Sequence, residues 1–556
     1  MKKGLWISAI LVIVLAMVVM SCSQPAANTQ PTTSTSTTKP TTPATTPSTS
    51  TATATTTAPA ANQPKYGGEL RFAYTLAPGS LDPAVGTSGG DAYYWQQIFD
   101  QLVAANPDLS PAPDRSLATS WEFPDPKTMV FHLRSGVTFQ DGTTFDANAV
   151  KFNIDRILDP NVRATPRASF LAIDHTEVID KTMVKFVLAR PWSAGIGLLP
   201  DRGGAMSSPT AVQKWGAQYG VNPCGTGPFQ VFDYVPGSTL TLKKNPNYWG
   251  KDKAGNPLPY IDRLIENIIL DPTVVDAALQ TGKLDVAGIN SPDIDRFSTD
   301  PNITKDISIA TFPGSSVSIL MYFNMAKAPM DNLNLRKAVA YAIDWEAINQ
   351  SIFYGKGIIA KSGMWPPGTW VFDDTVARPT YDVAKAKDFL KQGGQPNGFT
   401  LDMITWGATF TQAAQVVQAQ LSQIGVTVNV KIYDVTTATN NFMTGGQAPL
   451  FLSSWSRYPE PDWIASNNYT STATYNPGKL TDAAMDTLVA QGASEYDQAQ
   501  RKAIYGQINA KILDECFVIP GIYGVAYWGY WKNKVGGMEN FFGWDAKANI
   551  RFLWVK

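Results

Sequence analysis

Hydrophobic positions along the chain switch between two periods. In FTQAAQVVQAQLSQIG, residues 410–425, Phe410, Ala414, Val417, Leu421 and Ile424 recur at helical spacing on one face, and Gly425 stands where a C-terminal cap belongs. The next residues, VTVNVKIYD, alternate Val426, Val428, Val430 and Ile432, which predicts a strand with one buried face. DANAVKFNIDRIL sets Val150, Ile154, Ile157 and Leu158 on one side of a helix with Asp146 as its N-cap. NLRKAVAYAIDWEAI does the same with Leu335, Val339, Ala342 and Ile343. Helix-then-strand units of this kind predict α/β layers. At 451–463, FLSSWSRYPEPDW, an apolar run breaks into aromatic faces, hydrogen-bonding edges and a Pro-fixed corner. It reads either as a strand end with a turn or as the wall of a small-molecule pocket.

The N-terminus has a different pattern. Lys2 and Lys3 precede an apolar run from Leu5 to Met20 and then Ser21-Cys22, the charged, hydrophobic and small-residue order of a secretory signal. An uncleaved anchor would need a longer run to span a bilayer core comfortably, so removal of residues 1–21 is expected. Val19-Met20-Ser21-Cys22 resembles a lipoprotein signal-peptidase site, with Met20 unusual there. Cys22 is then the expected lipidation position, and the alternative is an unmodified cysteine beside an ordinary signal. Residues 22–64 are nearly all Thr, Ser, Pro, Ala, Gln and Asn, a composition that cannot bury enough surface to order itself. They are expected to form a tether spanning roughly 35 Å on average.

The roughly 490 residues from Lys65 onward exceed what one hydrophobic core holds, so two or three domains are expected. A net charge of -1 with no basic block gives no sign of a nucleic-acid partner. Beyond Cys22 only Cys224 and Cys516 remain. In an exported chain they either form a disulfide or stay as separate buried thiols. Catalytic chemistry is poorly represented. There are two histidines, His132 inside the alternating VFHLR stretch and His175, and no nucleophile elbow, zincin or phosphate-loop pattern. Asp125, Asp141 and Asp146 fall in turns and caps, the common use of short carboxylates. No catalytic residue, metal site or cofactor is expected.

Sequence landmarks recur in order along nearly the whole remaining chain: GGELRFAY at 67–74, LDPA at 81–84, SWEFPDPKTMVFHLRSGVTFQDGTTFDANAVKFNIDRIL at 120–158, GTGPFQVFDYVPGSTLTLKKNPNYWG at 225–250, LQTGKLDV at 279–286, NLRKAVAYAIDWEAI at 334–348 and YDVAKAKDFL at 381–390. In this order they resemble the family 5 extracytoplasmic solute-binding proteins, the dipeptide, oligopeptide and nickel receptors of ABC importers. Gly225, Gly227 and Pro228 read as a turn launching a strand, so these landmarks mark scaffold, not ligand. The resemblance implies an α/β, two-lobed periplasmic-binding-protein-like (class II) fold with a two-strand hinge and an extra subdomain. By analogy lobe I comprises 65–105, 206–310 and 521–556, the subdomain 106–205, and lobe II 311–520. It further implies a monomeric, membrane-anchored extracytoplasmic receptor that passes a small-molecule or peptide solute to ABC permease subunits.

The resemblance also places the segment matching SSWSRYP in the cleft of the second lobe. Ser454, Trp455, Ser456, Arg457 and Tyr458, with Trp365 and Trp406, are therefore the candidate ligand-binding residues. The 16 tryptophans and 21 tyrosines cluster enough to serve stacking as well as core packing. Peptide receptors of the family carry an aspartate shortly after the tryptophan, for the peptide's ammonium group. Aligned on the following Tyr-Pro-Glu-Pro, this chain has Arg457 there. A guanidinium offers a fork to carboxylates or hydroxyls, unless it faces solvent or pairs with Glu460. An oligopeptide or peptide-like solute is the first expectation and an oligosaccharide the second. An extracytoplasmic hydrolase using paired carboxylates, or a sensor, are the readings from other classes.

Overall fold

The computed structural model describes residues 63–556 apart from 87–89, 457, 459, 474, 478–480 and 545. The signal, Cys22 and nearly all of the tether lie outside these residues. Two long antiparallel strands, Ile307–Phe323 and Val518–Trp531, run through the middle of an eleven-stranded sheet among the described residues. On one side follow Leu450–Ser456, Thr400–Trp406 and Thr427–Tyr433. On the other follow Val286–Gly288, Glu69–Tyr74, Arg263–Ile268, Thr239–Lys244 and Phe229–Val235, and the short eleventh strand Ile358–Ile359 pairs with Val518–Trp531 off this path. Each set of outer strands attaches to only one end of a central strand: Leu450–Ser456 pairs with 316–323, Val286–Gly288 with 528–530. Two layered bodies are thus joined by a shared pair of strands, a two-lobed α/β fold.

The pair is irregular at its centre. Ile307 to Pro313 run in register with Trp531 to Val525, then the register shifts between Pro313 and Val317 and twice more before Leu320 meets Pro520. Gly314 sits in this interval at φ 70°, a left-handed conformation that L side chains rarely adopt. A Cβ there would also come within 2.8 Å of the Pro367 carbonyl. Bulges of this kind bend a ladder without ending it.

A separate four-stranded antiparallel sheet is formed by Ala118–Asp125, Thr128–Leu133, Met183–Leu188 and Ile173–Asp180 in that spatial order. Helix Ala147–Leu158 packs on it with Val150, Ile154 and Ile157 buried, and Asp146 caps it by accepting from the backbone N–H of Asn148 and Ala149. One apolar cluster joins this sheet to the first lobe, from Leu70, Phe72 and Trp95 through Phe131 and Phe186. His132 stays in its strand, with Glu122 at 3.6 Å.

Two local expectations change. NLRKAVAYAIDWEAI is not one helix: Leu333–Ala342 ends, and Trp345–Phe353 begins with Asp344 accepting from the N–H of Ala347. A short carboxylate prefers capping to a helix interior, and that preference overrides the apolar periodicity. Thr427–Tyr433 is a strand parallel to Thr400–Trp406, yet its buried alternation fades from Val428 to Ile432, which is 56% exposed. This strand is the sheet's edge, where little covers its far end.

Cys224 and Cys516 form no disulfide. Cys224 lies in the apolar cluster of the first lobe and Cys516 in that of the second, where its thiol donates to the Leu513 carbonyl at 3.6 Å. Two cores built on different bodies keep the sulfurs from the close approach a disulfide needs. Burial pushes both thiols up to about 12, with Asp141 adding to the effect at Cys224. Native chain from residue 23 onward should therefore react with neither equivalent of a thiol reagent at pH 8, and with both when unfolded without reductant. A disulfide would leave no reactive thiol in denaturant.

Candidate functional site

Strand Leu450–Ser456 enters from the second-lobe core with Phe451 and Leu452 buried, and its last residues emerge at partial exposure. Trp455 pairs through its backbone with position 317 of the central strand. Its indole lies edge-on to Tyr322 at 6.3 Å and Tyr475 at 6.0 Å, and tilted against Trp463 at 5.7 Å. Tyr458 stacks on Trp463 at 3.9 Å with the rings 16° apart. Trp455, Tyr458, Trp463 and Tyr475 are all partly exposed. Trp463 packs against the first-lobe cluster as well as the second-lobe one. The aromatic array therefore stands at the junction of the lobes.

Glu460 anchors it. The carboxylate is 1% exposed, caps helix Pro461–Asn468 by accepting from the N–H of Asp462 at 2.9 Å, and receives Arg501 at 2.5 Å. Burial alone would lower the Arg501 pKa, but Glu460 raises it. Across the junction, a Cβ on Gly197 would fall 2.3 Å from a Glu460 oxygen, so the first body approaches this turn as closely as a glycine permits. Asp462 is also engaged, by the hydroxyls of Ser466 at 2.9 Å and Tyr505 at 3.4 Å. Both carboxylates of the turn are thus already paired within the second lobe. Glu460 has its partner in Arg501, and Arg457 lies outside the described residues.

The remaining candidates divide. Ser454 is half-buried and Ser456 exposed beside Trp455. Trp406 lies tilted against Phe410 at 4.3 Å and donates its indole N–H to Ser453 at 3.1 Å. Trp365 is 5% exposed and edge-on to Tyr505 at 5.6 Å, a core position. The buried indole N–H groups of Trp365 and Trp455, the Tyr469 hydroxyl and the side-chain amide oxygen of Asn468 have no hydrogen-bond partner among the described residues. Such groups are costly when left unmet. Asp201 and Arg202 of the first body are close enough to act on Tyr458 electrostatically: burial raises its hydroxyl pKa, Asp201 raises it further and Arg202 lowers it. Neither they nor Trp463 and Tyr475 were among the sequence candidates. Trp463 lies within the aromatic-rich segment, but nothing local marks Asp201 and Arg202.

A sequence profile of the bacterial extracellular solute-binding proteins, family 5 (Middle), matches residues 112–476. The chain belongs to this family. Family 5 members are binding proteins, not enzymes. The glutathione-binding protein GsiB of Shigella flexneri serotype 5b (strain 8401) is 31% identical over 424 residues, covering 74% of this chain and 80% of that protein. Among solved structures, the ABC transporter substrate-binding protein CtaP of Listeria monocytogenes superposes with a TM-score of 0.76 at 24% identity, covering 88% of this chain and 100% of that one. DppA of Helicobacter pylori in complex with the peptide STSA gives 0.73 at 23% identity, covering 88% and 98%. These likenesses show the two-lobed fold. Among the described residues no group of His, Cys, Asp or Glu suits a metal, and no helix is long and apolar enough to cross a membrane.

Removing one partner of a buried pair leaves an uncompensated charge. Arg501→Met should lower unfolding free energy by about 3–5 kcal/mol, and adding Glu460→Gln should recover a good part of it. Urea unfolding of the two variants checks this.

Proposed function

We propose that this chain is the receptor of an ABC importer, anchored outside the cytoplasmic membrane through lipid on Cys22. It captures an oligopeptide or peptide-like solute between its lobes and delivers it, as a monomer, to the permease. The observation that carries this reading is the aromatic array of Trp455, Tyr458, Trp463 and Tyr475 at the lobe junction, with the Tyr458 hydroxyl in reach of the charges of Asp201 and Arg202. Similarity to a protein named for binding glutathione, a small acidic peptide, supports the solute class. We divide the chain as lobe I (65–105, 206–310, 521–556), its subdomain (106–205) and lobe II (311–520), hinged at the irregular stretch from Pro313 to Val317. Solute that touches both lobes favours their closed arrangement.

An oligosaccharide is the second reading, supported by the partly exposed indole faces and the pairing of both turn carboxylates. Arg457 takes the place where peptide receptors hold an acid, and its guanidinium suits a carboxylate or hydroxyls. Native mass spectrometry of protein from its own host should identify a co-purifying solute and separate the two classes.

With that solute, Trp455→Ala and Trp463→Ala should each weaken binding by about tenfold to a hundredfold in calorimetric titration, as loss of an aromatic anchor does. Arg457→Ala should cost about as much, the worth of a hydrogen bond to a charged group. Unchanged affinity in both tryptophan variants would sink this placement of the site. Small-angle scattering should show a smaller radius of gyration on saturation, and an unchanged radius would argue against hinged closure. Globomycin should leave an unprocessed precursor, and normal maturation in its presence would remove the lipid anchor from the proposal.

A further inference from the structure

The four-stranded sheet reaches the second lobe through one hairpin. Its strands Ala118–Asp125 and Thr128–Leu133 lose register between Glu122 and Asp125, and an irregularity of this kind re-aims the side chains it contains. Phe123 lies within it, half-buried against the cluster that joins this sheet to the first lobe. The turn that follows is fixed by Asp125, whose carboxylate accepts from the Lys127 N–H at 2.7 Å, and Pro126 stands exposed at its tip.

Against this tip lies the turn between helices Ala483–Ser494 and Gln498–Asp514, which pack into the second-lobe cluster through Val489, Tyr505 and Ile508. Glu495 ends the first helix with its N–H on the Gln491 carbonyl, and Asp497 caps the second by accepting from the Gln500 N–H at 2.9 Å. Tyr496 is held between the two caps. Its ring meets that of Phe123 at 4.5 Å. Its hydroxyl donates to the Pro126 carbonyl at 3.0 Å and accepts from the Trp192 N–H at 3.4 Å. Nearby, the Ala493 carbonyl is an end-of-helix acceptor with no donor in its own helix, and it receives the backbone N–H and the hydroxyl of Ser193 at 2.9 and 3.0 Å. Burial raises the Tyr496 pKa, the Trp192 bond lowers it and Asp125 raises it, so the phenol stays protonated as a donor at neutral pH. The aromatic array at Trp455 contributes none of these contacts.

Tyr496 thus directs its ring and both roles of its hydroxyl toward the other body. A side chain placed to stabilise its own lobe would bond within that lobe. We propose that Tyr496 is a latch: by closing on Phe123 and the Pro126 carbonyl it holds the lobes together without touching the solute, and the hairpin of the four-stranded sheet is the arm that it grips. An aromatic pair and a neutral hydrogen bond each shift such an equilibrium about twofold to tenfold. Apparent affinity for a solute that needs both lobes scales with the fraction of chains in which they are together. That effect on affinity rests on the receptor reading above, whereas the effect on the lobes does not.

The test uses the chain from residue 23 onward, free of solute, with spin labels on Lys181→Cys of the four-stranded sheet and Lys387→Cys of the second lobe. Both positions are exposed, and the buried Cys224 and Cys516 stay unlabelled. Pulsed dipolar measurements should show the separation of the described arrangement as a population of the wild type. Relative to longer separations it should fall about tenfold in Tyr496→Ala and about threefold in Tyr496→Phe, which keeps the ring. Phe123→Ala, on the other body, should act in the same direction, and its effect combined with Tyr496→Ala should be smaller than the product of the two. Circular dichroism checks folding, and Tyr496→Phe with Phe123→Ala carries the test where Tyr496→Ala does not fold. An unchanged distribution of separations in the folded variants, or strictly multiplicative effects of Phe123→Ala and Tyr496→Ala, would overturn the latch. With co-purified solute, calorimetric affinity should fall in step with the closed fraction, and affinity independent of that fraction would separate the latch from solute capture. A chain that takes up no solute overturns the receptor reading and leaves the latch to be decided by the label separations.

Discussion

One pair of strands carries two duties that pull against each other. Ile307–Phe323 and Val518–Trp531 are the middle of the sheet, so their backbone groups must stay hydrogen-bonded. They are also the main link through which the lobes are joined, so they must bend. The compromise is visible in the chain. Regular pairing holds at the first-lobe end, from Ile307–Trp531 to Pro313–Val525, and the shifts gather between Pro313 and Leu320. Pro313, Gly314 and Pro520 stand in that interval, where a missing N–H or a left-handed turn costs least because the ladder is already interrupted.

The position of the aromatic array depends on this arrangement. Trp455 is attached directly to the central strand, so its ring is fixed relative to the hinge, whereas Trp463 is on a helix whose start is set by Glu460. The Glu460–Arg501 pair fixes the corner between them. A buried ion pair adds little net stability, because desolvation consumes most of the attraction. Its structural effect is directional: the carboxylate accepts from both the helix N-terminus and Arg501, which leaves the corner one arrangement. The Tyr458 ring, stacked on Trp463, is then close enough to Asp201 and Arg202 for their charges to act on its hydroxyl.

Much of the scaffold was legible because it rests on local periodicity and caps. Helix Ala147–Leu158 with Asp146, and helix Gly407–Ser422 with its buried Phe410, Val417 and Leu421, follow from spacing alone. The central strands do not. ISIATFPGSSVSILMYF and VIPGIYGVAYWGYW contain Pro and Gly that argue against strands, and only their long-range pairing holds them extended. The junction was partly legible. Aromatic density pointed to 451–463, but Trp365 proves to be core and Asp201 and Arg202 arrive from a segment far away in sequence. No local pattern shows which indole of a rich segment keeps a face toward solvent. The separate fates of Cys224 and Cys516 likewise follow from which core each joins.

The contacts across the junction are individually weak. The Ser193 backbone N–H and hydroxyl reach the Ala493 carbonyl at 2.9 and 3.0 Å, and the Tyr496 hydroxyl reaches the Pro126 carbonyl at 3.0 Å. Lys356 meets Asp295 at 2.5 Å, but that carboxylate is 68% exposed. Neutral hydrogen bonds contribute about 0.5–1.5 kcal/mol each and an exposed ion pair about 0–1 kcal/mol. Their sum is a few kcal/mol, set against solvation regained on opening and the freedom of two bodies on a hinge. Apolar contacts add to these, Trp463 on the first-lobe cluster and Phe123 against Tyr496 at 4.5 Å, and only contacts that differ between two arrangements of the lobes bias one over the other. The Trp455 indole N–H, buried and without a hydrogen-bond partner among the described residues, lies beside the partly exposed face of Trp463, and a donor left unmet in this way costs more than one exposed to water.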